Sequence, residues 1–163
     1  MKGLVAYDSY FGNTKRVAEA IAEQIKADGH EAELRSVREK YSSPPQGDFL
    51  FVGSPVRIAK VTRRARKFVK KLDAEAWRNK PVAIFVTVLP SSPNETDPKK
   101  KAQAEKWVLM PGPKFRDMAR ARGLNVVDKV LMAGVKDMKG PLADNAVEMA
   151  KQYAHEFMET LKK

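Results

Sequence analysis

The stretch Asp8-Ser9-Tyr10-Phe11-Gly12-Asn13-Thr14 gathers the residue types that an anion site needs. Ser9, Asn13 and Thr14 bring short polar side chains, and Gly12 lets the backbone approach a ligand closely. A helix starting just behind them presents N–H groups without intrahelical partners and a partial positive charge, a combination suited to a phosphate. The same residue types also cap ordinary helices, so spacing alone leaves both readings open.

A loop of this kind needs a strand before it and a helix after it. Residues 2–7 supply a short apolar strand. Residues 13–28 carry Val17, Ile21 and Ile25 at four-residue spacing, with Ala18 and Ala22 beside them, which is one apolar helix stripe. Gly29 supplies the stop, and residues 31–37 alternate polar and apolar like a strand with one wetter face, at or near a sheet edge. After Ser42-Ser43-Pro44-Pro45 and Gly47, the run Phe49-Leu50-Phe51-Val52-Gly53 is continuously apolar, as a central strand covered on both faces would be.

Val61, Ala65, Phe68, Val69 and Leu72 then recur at helix spacing, ahead of a fourth strand at Val82-Ala83-Ile84-Phe85-Val86 and a fifth at 126–133. In the last helix Ala143, Val147, Ala150, Ala154, Phe157 and Leu161 keep a 4-3-4-3-4 rhythm, with Pro141 fitting its first turn. Residues 88–113 read as one irregular segment in which Pro90, Pro93, Pro98, Pro111 and Pro113 frame a short helical stretch at 101–109. A loop of that length in a compact domain is usually functional. Alternation of strands and helices predicts an α/β fold, a five-stranded parallel sheet with helices on both faces, as a single domain over residues 1–163. In such sheets the ligand crevice lies beyond the carboxyl ends of the strands, where strand order reverses, and residues 8–14 belong there.

Composition narrows the chemistry. The chain has no cysteine, which excludes disulfides, iron–sulfur ligation and thiol catalysis, and its two histidines, His30 and His155, are far apart in sequence. No metal site and no catalytic side chain are expected, and difficult chemistry falls to a cofactor. The longest nearly apolar run, 81–89, is about half of the ~20 residues that a transmembrane helix requires, and the first residues lack a signal-length apolar core, so no transmembrane segment and a cytoplasmic location are expected. The net charge of +11 calls for an acidic partner. With no recognition-helix motif and no aromatic residues interleaved among the cations, specific nucleic-acid binding is not expected.

The stretch from Asp8 to Thr14 resembles the phosphate loop of the flavodoxin family, T/S-x-T/S-G-x-T after the first strand. Ser9, Gly12 and Thr14 match, Asn13 is a frequent occupant of the variable position, and Phe11 replaces the second hydroxyl residue. Asp48-Phe49-Leu50-Phe51-Val52-Gly53-Ser54-Pro55 is similar to the family's third strand and to the D-x-h-x-x-G-S-P run that leads into its second flavin loop. A receiver domain of the same topology would carry a phosphoacceptor Asp where this chain has Gly53-Ser54. The resemblance covers nearly the whole chain and implies a flavodoxin-like fold, FMN as cofactor and electron transfer as function.

By the same resemblance, Ser9, Tyr10, Phe11, Gly12, Asn13 and Thr14 would hold the FMN phosphate. The ring would lie between the loop Ser54, Pro55, Val56, Arg57 and Ile58, continuing to Lys60, and the loop Thr87, Val88, Leu89, Pro90 and Ser91. Many flavodoxins stack aromatic residues in these loops; here there are none, and Arg57 is expected to lay its guanidinium near the ring while Ile58 and Leu89 give apolar cover. The family often has a glycine in the second loop whose peptide flips toward the reduced flavin; Arg57-Ile58-Ala59 has none. The tryptophans, Trp77 and Trp107, are expected to cover helix and loop junctions, and only Trp107 has reach to the ligand; Tyr7 is expected in the core, and His155 at packing or surface.

Many flavodoxins are acidic, whereas residues 57–71 hold eight cations and no acid. This is either a solvated helix face or a docking surface for an acidic redox protein such as ferredoxin or a flavin-dependent reductase. Residues 54–60 and the basic helix also look like the menaquinone-dependent protoporphyrinogen dehydrogenases. The alternative function is therefore a flavodoxin-like oxidoreductase acting on a quinone or protoporphyrinogen.

Overall fold

The computed structural model describes residues 1–90 and 94–162. The first half runs β1 (Lys2–Tyr7), α1 (Asn13–Ala27), β2 (Glu31–Ser36), β3 (Phe49–Arg57), β4 (Lys60–Val61), α2 (Arg63–Lys71) and α3 (Ala74–Trp77). The second runs β5 (Pro81–Val88), α4 (Pro98–Leu109), α5 (Pro111–Ala121), β6 (Asn125–Val126), β7 (Leu131–Gly134) and α6 (Ala146–Leu161). The sheet order is β2-β1-β3-β5-β6, with β7 also on β5; all these pairs are parallel, and only β4 is antiparallel, folded back on β3. The chain steps from β1 outward to β2 and then crosses back to β3, so strand order reverses at β1 and a crevice opens at the carboxyl ends of β1 and β3.

Strand alternation divides the core between the two faces of the sheet. Val5, Phe51 and Phe85 point to one side, where α1 and α6 cover them with Val17, Ile21, Ile25, Tyr153 and Phe157. Leu4, Leu50, Val52 and Ile84 point to the other, beneath Val69 of α2 and Phe115 and Ala119 of α5. Each such large side chain contributes roughly 1.5–3 kcal/mol by leaving water. Gly53 is a packing requirement, because a Cβ there would run into the Phe85 ring. The wetter strand, β2, is at the sheet edge, and β3 is central.

Three sequence expectations are corrected. The fifth strand is two pieces, β6 and β7: Val127 N still donates to Val82 of β5 at 2.8 Å, but at 128–130 the chain turns to other partners, the Lys129 carbonyl accepting the Tyr153 hydroxyl at 2.6 Å and Asp128 facing Arg116 and Arg120 at 3.7 and 3.5 Å. In the segment 88–113 helix extends beyond the stretch expected at 101–109: α4 begins at Pro98 and α5 at Pro111. Pro98 and Pro111 each open a helix, where a missing N–H is harmless, and Asp97 caps α4 by accepting from Lys99 N at 3.0 Å. Pro141 does not belong to the last helix, which starts at Ala146; the Pro141 carbonyl accepts from Lys136 N at 2.8 Å beside a Val135–Leu142 bridge.

Candidate functional site

The loop after β1 is tied by its own serine. Ser9 Oγ accepts from the N–H of Gly12 at 3.1 Å and of Lys15 at 3.3 Å, and its hydroxyl proton has no acceptor among the described residues. Gly12 sits at φ 92°, a left-handed conformation that a glycine adopts without strain. The N–H groups of Phe11, Asn13 and Thr14 meet no acceptor among the described residues, and Thr14 is buried. Helix-terminal donors left this way suit an oxyanion. Ser9 thus shapes the loop, and the backbone N–H groups of Phe11, Asn13 and Thr14 are left without acceptors among the described residues.

Two contacts join this loop to the rest of the crevice. Thr14 Oγ1 and Thr87 Oγ1 share a buried hydrogen bond of 2.8 Å, which fixes the start of α1 against the end of β5. Asp8 is fully buried and accepts from Arg38 Nε at 2.7 Å, and the Arg38 guanidinium lies 4.1 Å from the Tyr10 ring centroid. On Tyr10 also rests Arg57, at 4.0 Å, with Phe11 at 5.6 Å from the same guanidinium. Tyr10 thus holds Arg57 near the crevice, each such cation–π contact contributing about 0.5–1 kcal/mol at an exposed site.

Beyond Ser54 the backbone folds as a two-residue hairpin, with Arg57 paired to Lys60 across the turn. Ile58 and Ala59 occupy it at φ 50° and 60°, the left-handed pair that tight hairpins require and that glycine usually supplies. Holding a β-branched residue there costs roughly 1–2 kcal/mol, yet Ile58 gains little packing in return, being 97% exposed. Beside the hairpin, Ser54 is wholly buried; its Oγ accepts from Thr62 N at 2.9 Å and anchors the base of the turn.

Between these pieces lies a cavity of about 490 Å³, within the range of small-molecule and cofactor sites. Ser9, Tyr10, Phe11, Asn13 and Thr14 border it from the first loop, Pro55, Val56, Arg57 and Ile58 from the hairpin, and Thr87, Val88 and Leu89 from the end of β5. The structure thus brings twelve of the sequence-predicted residues to one space. Gly12, Ser54 and Pro90 stand outside its lining, the first two acting on the backbone shape, and Ser91 lies outside the described residues. Ala59, from the continuation of the expected ring loop, also lines the cavity, and two further wall segments were not among the expected site residues: Ala104, Trp107 and Val108 of α4; and Val135 and Met138 after β7. Only Trp107 carried a signal in sequence, as an aromatic residue in the segment after the fourth strand.

A parallel α/β sheet with a cofactor-sized cavity at its switch point, closed at one end by unpaired helix N–H groups, defines a binder of phosphorylated cofactors. Residues 4–144 match the family model described as Flavodoxin domain, and the chain belongs to the flavodoxin family. Proteins of this family bind FMN and serve electron transfer with redox proteins. The flavodoxin of Aquifex aeolicus (strain VF5) is 35% identical over 78 residues, which are 47% of this chain and 42% of that protein. The match spans less than half the length of this curated relative.

Among solved structures, a flavodoxin from the domain Archaea superposes with a TM-score of 0.73 at 20% identity, covering 100% of both chains. Oxidised Flavodoxin 2 from Bacillus cereus gives 0.69 at 23% identity over 98% of this chain and 99% of that one. The Flv1 flavodiiron core from Synechocystis sp. PCC6803 gives 0.73 at 16% identity, over 99% of this chain but 36% of the other. These likenesses establish the fold. Among the described residues no helix is long and apolar enough to cross a membrane.

Proposed function

We propose that residues 1–163 form one flavodoxin-like domain that holds FMN in the 490 Å³ crevice and carries electrons in the cytoplasm. The observation that carries this reading is the polarity of the crevice, with unpaired N–H groups of Phe11, Asn13 and Thr14 at one end and Arg57, Ile58, Leu89 and Trp107 around the other. The Ser9 hydroxyl, the Asn13 side chain and those N–H groups receive the phosphate. Pro55, Val56, Thr87 and Val88 flank the ring, Trp107 offers the aromatic surface that the ring loops lack, and Arg57 offsets negative charge that develops on reduction. FMN, when bound, supplies one- and two-electron redox chemistry; the chain positions it, excludes water and docks the partner.

The partner is an acidic redox protein such as ferredoxin or a flavin-dependent reductase. Arg63, Arg64, Lys67, Lys70 and Lys71 are exposed on α2, and none of them has a carboxylate partner among the described residues. Unneutralised charge beside the crevice speeds encounter with an acidic surface. A second reading, an oxidoreductase acting on a quinone or protoporphyrinogen, draws on the apolar mouth, where Ile58, Trp107 and Met138 are 97%, 56% and 67% exposed.

A visible spectrum before and after FMN addition, followed by electron-transfer rates against salt, tests the first reading. Flavin bands that survive gel filtration and a steep fall in rate with salt are expected. Absence of bound flavin overturns it, and turnover of a quinone by the isolated chain favours the second.

A further inference from the structure

A smaller cavity of about 240 Å³ lies between β4, α2 and α5, meeting the hairpin at Ala59. Its floor is apolar, made by Val61, Phe115 and Met118. Its rim carries one cation from each of the three elements, Lys60 on β4, Arg66 on α2 and Lys114 on α5. None of the three has a carboxylate partner among the described residues. Arg66 Nε is buried with no hydrogen-bond partner, an arrangement that folding leaves unfavourable until an acceptor arrives.

We propose that this cavity binds a small organic carboxylate with an aromatic or branched aliphatic body. The carboxylate meets Arg66 Nε and the two ammonium groups, and the body covers Phe115 and Met118. A planar carboxylate matches a guanidinium edge, and the charge-assisted bond is about twice as strong as a neutral one. Inorganic phosphate would pair with the cations but leave the apolar floor wet, and a neutral hydrocarbon would leave Arg66 unpaired. At about 240 Å³ the space is below the range for drug-sized ligands and holds a body about the size of one ring. The two cavities share Ala59 of the hairpin, and the titration is run with and without FMN so that failure of this site and failure to bind FMN are separate results.

The test is a titration of the full chain with phenylacetate, with and without FMN, followed through the Met118 methyl and Phe115 ring signals by NMR. A saturable shift with a dissociation constant of about 1 mM or tighter is expected. Arg66→Gln weakens it about tenfold and Lys114→Gln, a surface change that leaves folding untouched, about threefold. The neutral analogue 2-phenylethanol gives no saturation, and equal inorganic phosphate does not displace the acid. Equal binding of acid and alcohol, displacement by phosphate, indifference to both substitutions or absence of saturation would each overturn the proposal.

Discussion

At one end of the crevice, six consecutive residues make the site from backbone: Ser9 ties the loop, Gly12 turns it, and the start of α1 presents its N–H groups. At the other end the walls are side chains from four separated stretches, the hairpin, the end of β5, α4 and the segment after β7. The first end is a local structure, fixed by hydrogen bonds within the loop and by the buried Thr14–Thr87 bond. The second depends on how distant elements return to the same place, and on a hairpin held in a conformation that Ile58 disfavours. An end built mainly from backbone tolerates change in side chains, whereas an end built from side chains is open to tuning at each of them.

The largest effect that separates the two ends comes from Gly12→Val. With φ at 92°, a β-branched residue forces the loop to rearrange, and FMN affinity falls about ten- to a hundredfold. Riboflavin, which lacks the phosphate, changes by less than about threefold on the same relation. Fluorescence-quenching titrations with both flavins check this; equal losses would break the division of the crevice.

Trp107→Ala sharpens the division from the other side. Loss of one aromatic surface weakens FMN and riboflavin alike, by about three- to tenfold, and selective loss of FMN alone would place Trp107 with the phosphate end.

Ile58→Gly is smaller and of opposite sign. Relief of the left-handed strain adds about 1 kcal/mol of stability, which raises the thermal midpoint by about 2–4 °C. FMN affinity stays within about twofold, since a side chain 97% exposed covers little of the crevice. An unchanged midpoint would show that the hairpin relaxes at no cost.

An effect of similar size lies away from the crevice and serves as its control. Burial holds the Tyr153 phenol well above the usual range, with its hydroxyl donating to the Lys129 carbonyl at 2.6 Å. The unfolded chain loses this proton first, so the stabilisation is fully present below about pH 10, the unfolded phenol value, and is lost as pH rises through the folded value. Tyr153→Phe costs about 1 kcal/mol near neutral pH and flattens the alkaline slope; urea midpoints from pH 8 to pH 11 measure both.

Much of the fold was legible because its signals are local. The stripe of Val17, Ile21 and Ile25, the continuous run at Phe49–Gly53 and the alternation at residues 31–37 each name an element, and their order implies the sheet. The helical stretch at 101–109 was legible too, but the start of α4 at Pro98 and the whole of α5 were hidden because prolines mark both breaks and starts, and only capping geometry at Asp97 tells which. Between β6 and β7 the Lys129 carbonyl is taken by Tyr153 from the last helix, a contact over a distance in sequence that no periodicity reports. In the same way the phosphate end was readable as a motif, whereas Val135 and Met138 became wall residues only when the chain returned past β7 to the carboxyl edge of the sheet.

The central claim, that this crevice holds FMN by its phosphate at residues 9–14, is tested most directly by parallel titration of the chain with FMN and riboflavin at fixed salt. One FMN per chain, bound at least about tenfold more tightly than riboflavin, is the predicted result. Equal affinity for the two flavins, or no saturable binding of FMN, would contradict it.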